Sequence, residues 1–302
     1  MQKHLIVLTG PTGIGKTSIG IKIAKHFKTE IVSSDSRQIF KELSVGTAVP
    51  NKAELTNLTH HLIQNHSIEE SYNASKFEIE ALDIINSLFK KHNLVLLVGG
   101  SMLYIDAVCK GIDIMPDADP GIRRMLKKKF ETEGIESLRL QLKKLDPNYY
   151  ESVDLKNPNR IIHALEICIM TGKAYSSFRS NPKKTRSFST IKIGLNCDRK
   201  YLHDRINSRV DNMINAGLEK EAREYYHLKH LNSLNTVGYR EFFAYFDGEI
   251  SREKAIELIK RNTRRYARKQ LTWFRNDIEM SWFEPNQANE IITFIEKQIS
   301  VK

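Results

Sequence analysis

The segment LTGPTGIGKTS at residues 8–18 follows a short apolar run, HLIVL at residues 4–8. Its glycines and its Gly-Lys-Thr ending match the pattern of a phosphate-binding loop between a strand and a helix. In such a loop, backbone N–H groups face phosphate oxygens, Lys16 adds a positive charge and Thr17 offers a hydroxyl to a magnesium ion. Residues 10–17, called the phosphate loop below, therefore predict a site for a di- or triphosphate and leave the reaction open.

Strand and helix patterns alternate around this loop. The predicted elements are a strand at 4–10, a helix at 16–27, a strand at 30–36, a helix at about 74–91 and a strand at 93–100. This alternation predicts an α/β fold with a doubly wound parallel sheet that carries the phosphate loop. Ligands bind at the carboxyl ends of the strands in such a sheet, where the phosphate loop, Asp35 and Gly99–Ser101 fall.

The middle of the chain lacks good strand patterns. Residues 121–179 contain several helical stretches, and an apolar run at 191–197 then resumes the sheet pattern. We therefore predict a first part of the α/β core at 1–116, a mostly helical insertion domain at 117–189, and a second part of the core at 190–302. The predicted helices of that last part are 198–216, 217–229, about 251–278 and 286–299.

The charge balance of the chain favours a polyanionic partner. Its 302 residues include 47 Lys and Arg against 36 Asp and Glu, a formal net charge of +11. The three cysteines lie far apart among apolar neighbours, which is typical of buried thiols in a reducing cytoplasm. The longest uncharged stretch, 92–105, is broken by two glycines and is too short for a membrane span. We expect a soluble, cytoplasmic protein.

A carboxylate that many phosphate-loop ATPases use is missing. Such enzymes end a later apolar strand in Asp to hold the metal shell, whereas the strand here ends LLVGGS at 96–101. The nearest carboxylate at a strand end is Asp35, placed to face a second substrate. Small-molecule kinases also carry an acidic residue there, and Asp35 is equally suited to cap the following turn, so three interpretations stay open at this point.

A basic segment near the C-terminus gives the strongest nucleic-acid signal. Between 251 and 275, nine Lys and Arg stand against two Glu, a local charge of +7. Five arginines of this segment recur at helical spacing: Arg261, Arg264, Arg265, Arg268 and Arg275. A basic face of this length suits a phosphate backbone, and the alternative is the solvated face of an amphipathic helix. Trp273 is expected in the core.

Smaller features are weaker on their own. Arg205 and Arg209 lie four residues apart on a predicted helix and can clamp a phosphate from the side opposite the phosphate loop, although surface arginines are common at this spacing. The VGYR stretch at 237–240 suits a loop contact. His60 and His61 lack a carboxylate or cysteine partner at metal-ligand spacing, so we expect them to be structural.

Taken in order, several segments resemble one family. They are GPTGIGKTS, SSDSRQIF, LVGGSMLYIDAVCKG, NPNRIIHALEI, TVGYRE and RRYARKQLTWFR, and the resemblance runs from about Leu5 to Phe283. The chain resembles the bacterial tRNA dimethylallyltransferases of the isopentenyl transferase family. This resemblance implies transfer of a dimethylallyl group from dimethylallyl diphosphate to N6 of the adenosine 3′ of the anticodon, A37, in tRNA. Diphosphate leaves with the help of Mg2+.

The resemblance also implies roles for individual residues. Asp35 is expected to act as the general base, and the catalytic residues are Asp35, Ser101 and Arg209. The diphosphate-binding residues are Gly10, Pro11, Thr12, Gly13, Ile14, Gly15, Lys16, Thr17 and Arg205, with Thr17 also holding the metal. The tRNA-binding residues are Asp35, Ser36, Arg37, Gln38, Ser101, Arg123, Asn159, Arg160, His163, Gly238, Tyr239, Arg240, Arg264, Arg268, Lys269, Gln270, Trp273 and Arg275. The insertion domain is expected to grip the anticodon stem-loop.

Two positions depart from the family pattern. The family more often has Thr where this chain has Ser101, which keeps the hydroxyl but restricts its rotamers less. It also often has a basic residue where this chain has His163, which predicts a weaker or pH-dependent contact. The cysteine and histidine array of eukaryotic relatives is missing from the sequence, so the zinc-free bacterial form is the better match.

Alternative functions have their own signatures. A phosphate-loop kinase acting on a nucleoside or small metabolite would leave the basic helix without a role. A non-catalytic RNA-binding module would leave Asp35 and the phosphate loop idle. An enzyme that prenylates free adenine nucleotides would have less need of the insertion domain. A monomer is expected because no heptad or interface stripe appears.

Overall fold

The computed structural model of the protein describes residues 2–51, 56, 58–113, 115–116, 119–179 and 184–300. The chain divides into two compact units. The α/β unit combines Met1–Lys110 with Thr185–Lys302, and the helical unit is Gly111–Lys184. The helical unit thus begins and ends a few residues before the predicted insertion at 117–189, and its expected role in gripping tRNA stays a prediction.

One parallel sheet organises the α/β unit. In chain order its strands are β1 (His4–Thr9), β2 (Ile31–Ser33), β3 (His60–His61), β4 (Leu94–Val98), β5 (Ser189–Leu195) and β6 (Met280–Phe283). They lie in the order β3-β2-β4-β1-β5-β6, and each neighbouring pair is parallel. This arrangement confirms the predicted doubly wound sheet. Two of these short strands, β3 and β6, were not predicted.

Helices surround the sheet and build the second unit. Those with defined bounds are α1 (Lys16–His26), α2 (Ala74–Leu88), α3 (Met102–Lys110), α4 (Pro120–Leu145), α5 (Pro147–Ser152), α6 (Pro158–Thr171), α7 (Arg199–Asn215), α8 (Leu218–Glu224), α9 (Tyr239–Phe246), α10 (Arg252–Arg275) and α11 (Ala288–Ser300). The helix predicted at 217–229 is α8 followed by a 3-10 turn at Tyr226–Leu228. Within the described residues, a helix with the length and hydropathy needed to span a bilayer does not occur.

The central strand β1 buries side chains on both faces of the sheet. Leu5 and Val7 pack in one apolar cluster with residues of α2, α3, α9 and α10, and Ile6 and Leu8 pack in another with residues of α1, α7 and α11. All four side chains are fully buried. Successive strand residues point to opposite faces, so a continuous apolar run is what a sheet covered on both faces requires. Each such side chain contributes about 2 kcal/mol of burial free energy.

The helical unit has its own apolar core. Its first helix, α4, is capped by Asp119 and is interrupted at Gly134, where the backbone leaves the helical region (φ 77°, ψ −175°). Leu126 before the interruption and Leu138 after it are both fully buried. They join residues of α5 and α6 in one cluster, so the two segments of α4 cover the same core.

The three cysteines are free thiols. Cys168 is buried as predicted, whereas Cys109 and Cys197 are partly accessible. Burial raises the thiol pKa of all three, to about 12 for Cys109. Such thiols are weak nucleophiles and behave as small apolar groups.

Candidate active site

A cavity of about 620 Å³ lies at the carboxyl ends of the strands in the α/β unit. Its lining comes from the loops after β1, β2 and β4, from α7 and from α10. The predicted residues that line it are Thr12, Gly13, Gly15, Lys16, Thr17, Asp35, Gln38, Arg205, Arg209 and Gln270. The fold therefore assembles most of the predicted catalytic and diphosphate-binding residues around one space, as the position of strand ends in such a sheet requires.

The phosphate loop joins the end of β1 to the start of α1. Gly15 is the N-cap of α1 in a left-handed conformation (φ 103°), and no side chain caps this helix end. The first N–H groups of α1 and the positive end of its dipole are therefore available to an anion. A Cβ at Gly10 would lie 2.8 Å from the Leu195 carbonyl oxygen, so the loop passes β5 too closely for any other residue.

The Lys16 amine is held inside the phosphate loop. It donates 2.9 Å hydrogen bonds to the carbonyl oxygens of Gly10 and Pro11. Burial lowers the pKa of this amine to about 7, opposed by the Asp35 carboxylate and reinforced by the Arg209 guanidinium. An anion bound beside the amine favours its charged form, so anion binding and proton uptake are linked at Lys16.

Asp35 both caps a turn and lines the cavity. Its Oδ1 accepts hydrogen bonds from the backbone N–H groups of Arg37 at 2.9 Å and Gln38 at 3.2 Å. Among the described residues, its second oxygen, Oδ2, has no hydrogen-bond partner. The turn-capping interpretation is therefore correct, and it leaves one carboxylate oxygen oriented and available to a substrate.

The two arginines of α7 have different surroundings. Arg209 has one long hydrogen bond, 3.5 Å from its Nη2 to the Thr47 carbonyl oxygen, and burial lowers the pKa of its guanidinium. Arg205 donates from Nε to the Gly13 carbonyl oxygen at 2.8 Å and lies over the Tyr201 ring. Arg209 is therefore placed to hold an anion, while Arg205 also supports the phosphate loop from outside.

The charges in the lining favour an anionic ligand. Three cations, Lys16, Arg205 and Arg209, stand against two carboxylates, Asp35 and Asp204. The cations gather around the phosphate loop, whose helix end adds a further positive potential. A diphosphate is the class of group that this arrangement accommodates, with Asp35 as the carboxylate beside it.

The predicted metal position offers one protein hydroxyl, that of Thr17. Thr17 lines the cavity, as a metal-ligating hydroxyl must. In the part of the chain that the structure describes, no group of three or more His, Cys, Asp or Glu side chains forms a metal site. Mg2+ commonly takes one or two protein ligands, substrate phosphates and several waters, so a lone hydroxyl fits an ion that arrives with a diphosphate.

Some predicted residues act indirectly or lie elsewhere. Ser101 is outside the described lining, although its neighbours Gly99 and Gly100 are part of it. Its backbone N–H donates to the Ser34 carbonyl oxygen at 3.1 Å, and the residue is almost buried. The Ile14 side chain is fully buried in the core, and its backbone N–H donates to the Pro11 carbonyl oxygen at 3.3 Å, so Ile14 supports the loop from within.

Two predicted tRNA contacts next to Asp35 fix neighbouring loops. Arg37 Nη1 donates to the carbonyl oxygens of residues 232–233 at 3.1 and 3.0 Å. Gln38 Nε2 donates to those of residues 47–48 at 3.2 and 3.0 Å. Both side chains therefore order the loops at the rim of the cavity.

The structure corrects the prediction that the Tyr239 side chain binds tRNA. Its side chain is fully buried, and its hydroxyl donates to Glu221 Oε1 at 2.5 Å. Glu221 also accepts from Ser44 and from the backbone N–H groups of Val45 and Gly46, all within 3.0 Å. The Tyr239 ring consequently has no free surface for tRNA, whereas its neighbour Arg240 is exposed.

The basic segment forms α10, and its charges divide between solvent and protein. Arg265, Arg268, Lys269 and Arg275 are exposed, whereas Arg264 donates to Asn207 at 2.6 Å. The expectation that Trp273 belongs to the core is wrong. Its side chain is 40% exposed, and its indole N–H donates to Asp106 at 2.9 Å. Of the five arginines that defined the predicted basic face, Arg265, Arg268 and Arg275 are exposed, and Arg261 and Arg264 are partly buried.

The helical unit contains four of the predicted tRNA-binding residues. Asn159 and Arg160 are exposed at the start of α6. Arg123 is paired with the fully buried Glu166, with 2.7 Å between its Nη2 and Oε2. Burial and the Arg123 charge lower the pKa of His163, so this side chain is neutral near pH 7. The lowered pKa means that His163 becomes charged only at acidic pH, so any pH-dependent contact with tRNA is expected there.

Sequence reasoning missed several contributors to the cavity, among them His60 and Tyr266. His60 lines it although it was expected to be only structural, and its Nδ1 lies 2.8 Å from the Leu58 carbonyl oxygen. Tyr266 of α10 also lines it, and burial together with the Asp35 charge raises the pKa of its phenol to about 12. Tyr266 is one helical turn before Gln270, a spacing that places both on one face of α10.

The sequence and the fold are similar to those of known proteins. The IPP transferase family model matches residues 38–277. A tRNA dimethylallyltransferase from Bacteroides fragilis is 52% identical over 98% of this chain and 99% of its own length. The crystal structure of a tRNA isopentenylpyrophosphate transferase from Bacillus halodurans, 34% identical, matches 99% of this chain and 97% of that one with a TM-score of 0.73. A eukaryotic dimethylallyltransferase acting on tRNA, 24% identical, shares the fold with a TM-score of 0.82 over 99% of this chain and 80% of that one.

Proposed function

The chain belongs to the IPP transferase family as a tRNA-modifying transferase, and we propose that its cavity performs the prenyl transfer. In this proposal the donor is dimethylallyl diphosphate and the acceptor is N6 of A37, the adenosine 3′ of the anticodon in tRNA. The observation that carries it is the placement of Asp35 in one cavity with Lys16, Arg209 and the phosphate loop. A carboxylate thereby faces the place where a diphosphate would lie.

The reaction requires one bond to form and one to break. The N6 nitrogen forms a bond to C1 of the prenyl group while the bond between C1 and the diphosphate oxygen breaks. The N6 proton passes to the free Oδ2 of Asp35, which its turn-capping Oδ1 keeps oriented. The electron pair of the broken bond leaves with diphosphate, which Lys16, Arg209 and the N–H groups at the start of α1 stabilise as its charge grows.

Supporting groups complete the proposed site. The Thr17 hydroxyl would be a protein ligand of Mg2+, which would neutralise part of the diphosphate charge when bound. Ser101, at the start of α3, is proposed to donate a hydrogen bond to the leaving oxygen or to accept one from the amine. Arg205 holds the phosphate loop by donating to the Gly13 carbonyl oxygen, so it supports diphosphate binding by keeping the loop in place.

Two surfaces are proposed to bind tRNA. The exposed cations of α10 suit the phosphate backbone, and the helical unit is proposed to grip the anticodon stem-loop. An exocyclic amine is accessible only when its base leaves the stack, and a single-stranded loop lowers the cost of extruding it. We also propose that the protein works as a monomer in the cytoplasm.

The direct test is a nucleoside assay. The protein is incubated with dimethylallyl diphosphate, Mg2+ and unmodified tRNA, and the digested nucleosides are analysed for prenylated adenosine by mass spectrometry. The proposal expects prenylated adenosine at A37 and none when tRNA lacks an adenosine there. A matched reaction with ATP in place of the prenyl donor controls for phosphoryl transfer, and ATP consumption without a prenylated product would contradict the proposal.

A further inference from the structure

Gln270 makes two hydrogen bonds that join both sides of the cavity. Its side chain projects from α10 and is 2% exposed. Its Oε1 accepts from the backbone N–H of Thr12 in the phosphate loop at 2.8 Å, and its Nε2 donates to the Gly100 carbonyl oxygen at 2.8 Å. A single amide therefore links the loop after β1 to the loop after β4.

Gly100 lies directly against the amide. A Cβ built at Gly100 would lie 2.4 Å from Gln270 Nε2, so a side chain at this position would displace the amide from its present place. The two partners also fix which end of the amide is which, because an N–H group can only donate and a carbonyl oxygen can only accept. Among side chains of this length, neutral Gln supplies both a donor and an acceptor at its tip.

The Thr12 hydrogen bond has a consequence for anion binding. Phosphate loops bind through inward-facing backbone N–H groups, and here the Thr12 N–H is already satisfied by Gln270. That bond sets the position of the loop just before Gly13, Gly15 and Lys16, which line the cavity. Without it, a part-buried N–H loses its acceptor, and the contact that holds the loop at Thr12 is lost.

The same helix carries exposed cations on another face. Arg268 and Lys269 precede Gln270 directly and are exposed, whereas Gln270 points inward. The helix proposed to bind the tRNA backbone is therefore also the helix that holds the phosphate loop. Through the Gln270 side chain, the helix proposed to bind tRNA contacts the loop proposed to bind the prenyl donor.

We propose that Gln270 is a positioning residue for diphosphate binding, rather than the tRNA contact that its sequence motif implies. It acts through the phosphate loop, because both polar atoms of its amide are engaged by protein groups, Oε1 by the Thr12 N–H and Nε2 by the Gly100 carbonyl oxygen. The inference rests on the proposed function for the identity of the donor, dimethylallyl diphosphate. The two hydrogen bonds on which the inference depends are contacts within the protein and do not require a substrate.

Two substitutions separate this role from tRNA binding and from general stability. Gln270→Leu removes both hydrogen bonds while keeping an apolar side chain of similar size. Gln270→Glu keeps them only when the carboxyl is protonated, since the acid can accept from Thr12 and donate to Gly100, whereas the carboxylate places a negative oxygen against the Gly100 carbonyl. Gln287→Leu is the matched control, because Gln287 also accepts a backbone N–H, from Glu284 at 2.8 Å, but lies outside the cavity lining.

The measurements are the KM for dimethylallyl diphosphate, kcat, the Kd for tRNA, and the Kd for inorganic diphosphate without tRNA. For Gln270→Leu we expect the KM for the donor and the Kd for diphosphate to rise by about tenfold or more, with the tRNA Kd within about twofold of wild type. For Gln270→Glu the ratio of its donor KM to that of wild type should grow as pH rises. Gln287→Leu should match wild type in all four quantities.

The opposite results overturn the inference. They are an unchanged diphosphate Kd in folded Gln270→Leu, a tRNA Kd that rises as much as the donor KM, or a Gln270→Glu ratio that is flat with pH. Thermal unfolding of each variant shows whether it is folded, and Gln270→Glu provides the second test if Gln270→Leu is not. If the wild-type protein makes no prenylated adenosine, the proposed function fails, while the diphosphate Kd of the variants still decides the role of Gln270.

Discussion

The Arg123 guanidinium donates from both Nε and Nη2 to a single oxygen of Glu166, at 3.1 and 2.7 Å. Glu166 is fully buried, and its other oxygen, Oε1, has no hydrogen-bond partner in the described part of the chain. A buried carboxylate is costly unless a cation compensates it. Arg123 therefore stabilises the helical unit in addition to any contact it makes with tRNA.

Removing only the cation should show this structural role. Arg123→Met leaves the Glu166 charge buried without compensation, and we expect the free energy of unfolding to fall by about 3 kcal/mol. The double variant Arg123→Met with Glu166→Met removes the charge as well and should recover most of that loss. Urea unfolding followed by circular dichroism measures both, and equal stability of Arg123→Met and wild type would contradict the assignment.

Asp35→Asn is the cleanest change at the proposed base. Asparagine keeps an oxygen that accepts from the Arg37 and Gln38 N–H groups, so the turn is preserved while the basic carboxylate is lost. We expect kcat to fall by about a thousandfold. The Kd for tRNA should stay within about twofold of wild type in a filter-binding titration, and an equal loss of turnover and binding would argue against a role as base.

The lowered Lys16 pKa predicts a pH-dependent affinity for diphosphate. The anion binds the charged form of the Lys16 amine. Above the amine pKa of about 7, binding therefore requires proton uptake, and the affinity for diphosphate falls. Lys16→Arg keeps its charge throughout this range. Calorimetric titration with inorganic diphosphate should therefore show the affinity of wild type falling relative to that of Lys16→Arg, by about tenfold for each pH unit above 7. Parallel pH profiles of the two proteins would show that Lys16 stays charged.

The exposed face of α10 predicts a salt-dependent contribution to tRNA binding. Arg268→Ala should weaken binding and reduce the slope of log Kd against log salt concentration by about one. Arg252 lies on the same helix, but its Nε is 2.7 Å from Glu219 Oε2, so its charge is already partnered. Arg252→Ala should leave the slope unchanged. Equal slopes for the two variants would contradict the proposal that α10 contacts tRNA.

The sequence was sufficient where structure is local or strongly patterned. The apolar run of β1, the glycines of the phosphate loop and the helical spacing of α10 each determine their own element. Strand order then follows from the general behaviour of alternating strands and helices, which brings Asp35 to the same edge as Lys16. The strands β3 and β6 lack a continuous apolar run, since β3 is the pair His60–His61 and β6 is interrupted by Ser281.

The orientation of particular polar side chains was beyond sequence reasoning. Gln270 directly follows two cations, Arg268 and Lys269, on a basic helix, which favours exposure. Its hydrogen-bond partners lie 258 and 170 positions away in the sequence, and its side chain points inward to reach them. Tyr239 follows a glycine in a motif that resembles a loop contact. Its hydroxyl nevertheless donates a hydrogen bond to Glu221, which lies on another helix. Such burial depends on contacts between distant segments, which only the assembled fold defines.

The central claim is that one cavity releases diphosphate only as it alkylates adenosine. The most direct measurement follows both products in a single reaction of the protein with dimethylallyl diphosphate, Mg2+ and unmodified tRNA. We predict that diphosphate and prenylated adenosine appear in equal amounts and that neither forms without tRNA. Diphosphate released without prenylated adenosine, or a phosphorylated product made from ATP instead, would contradict the account.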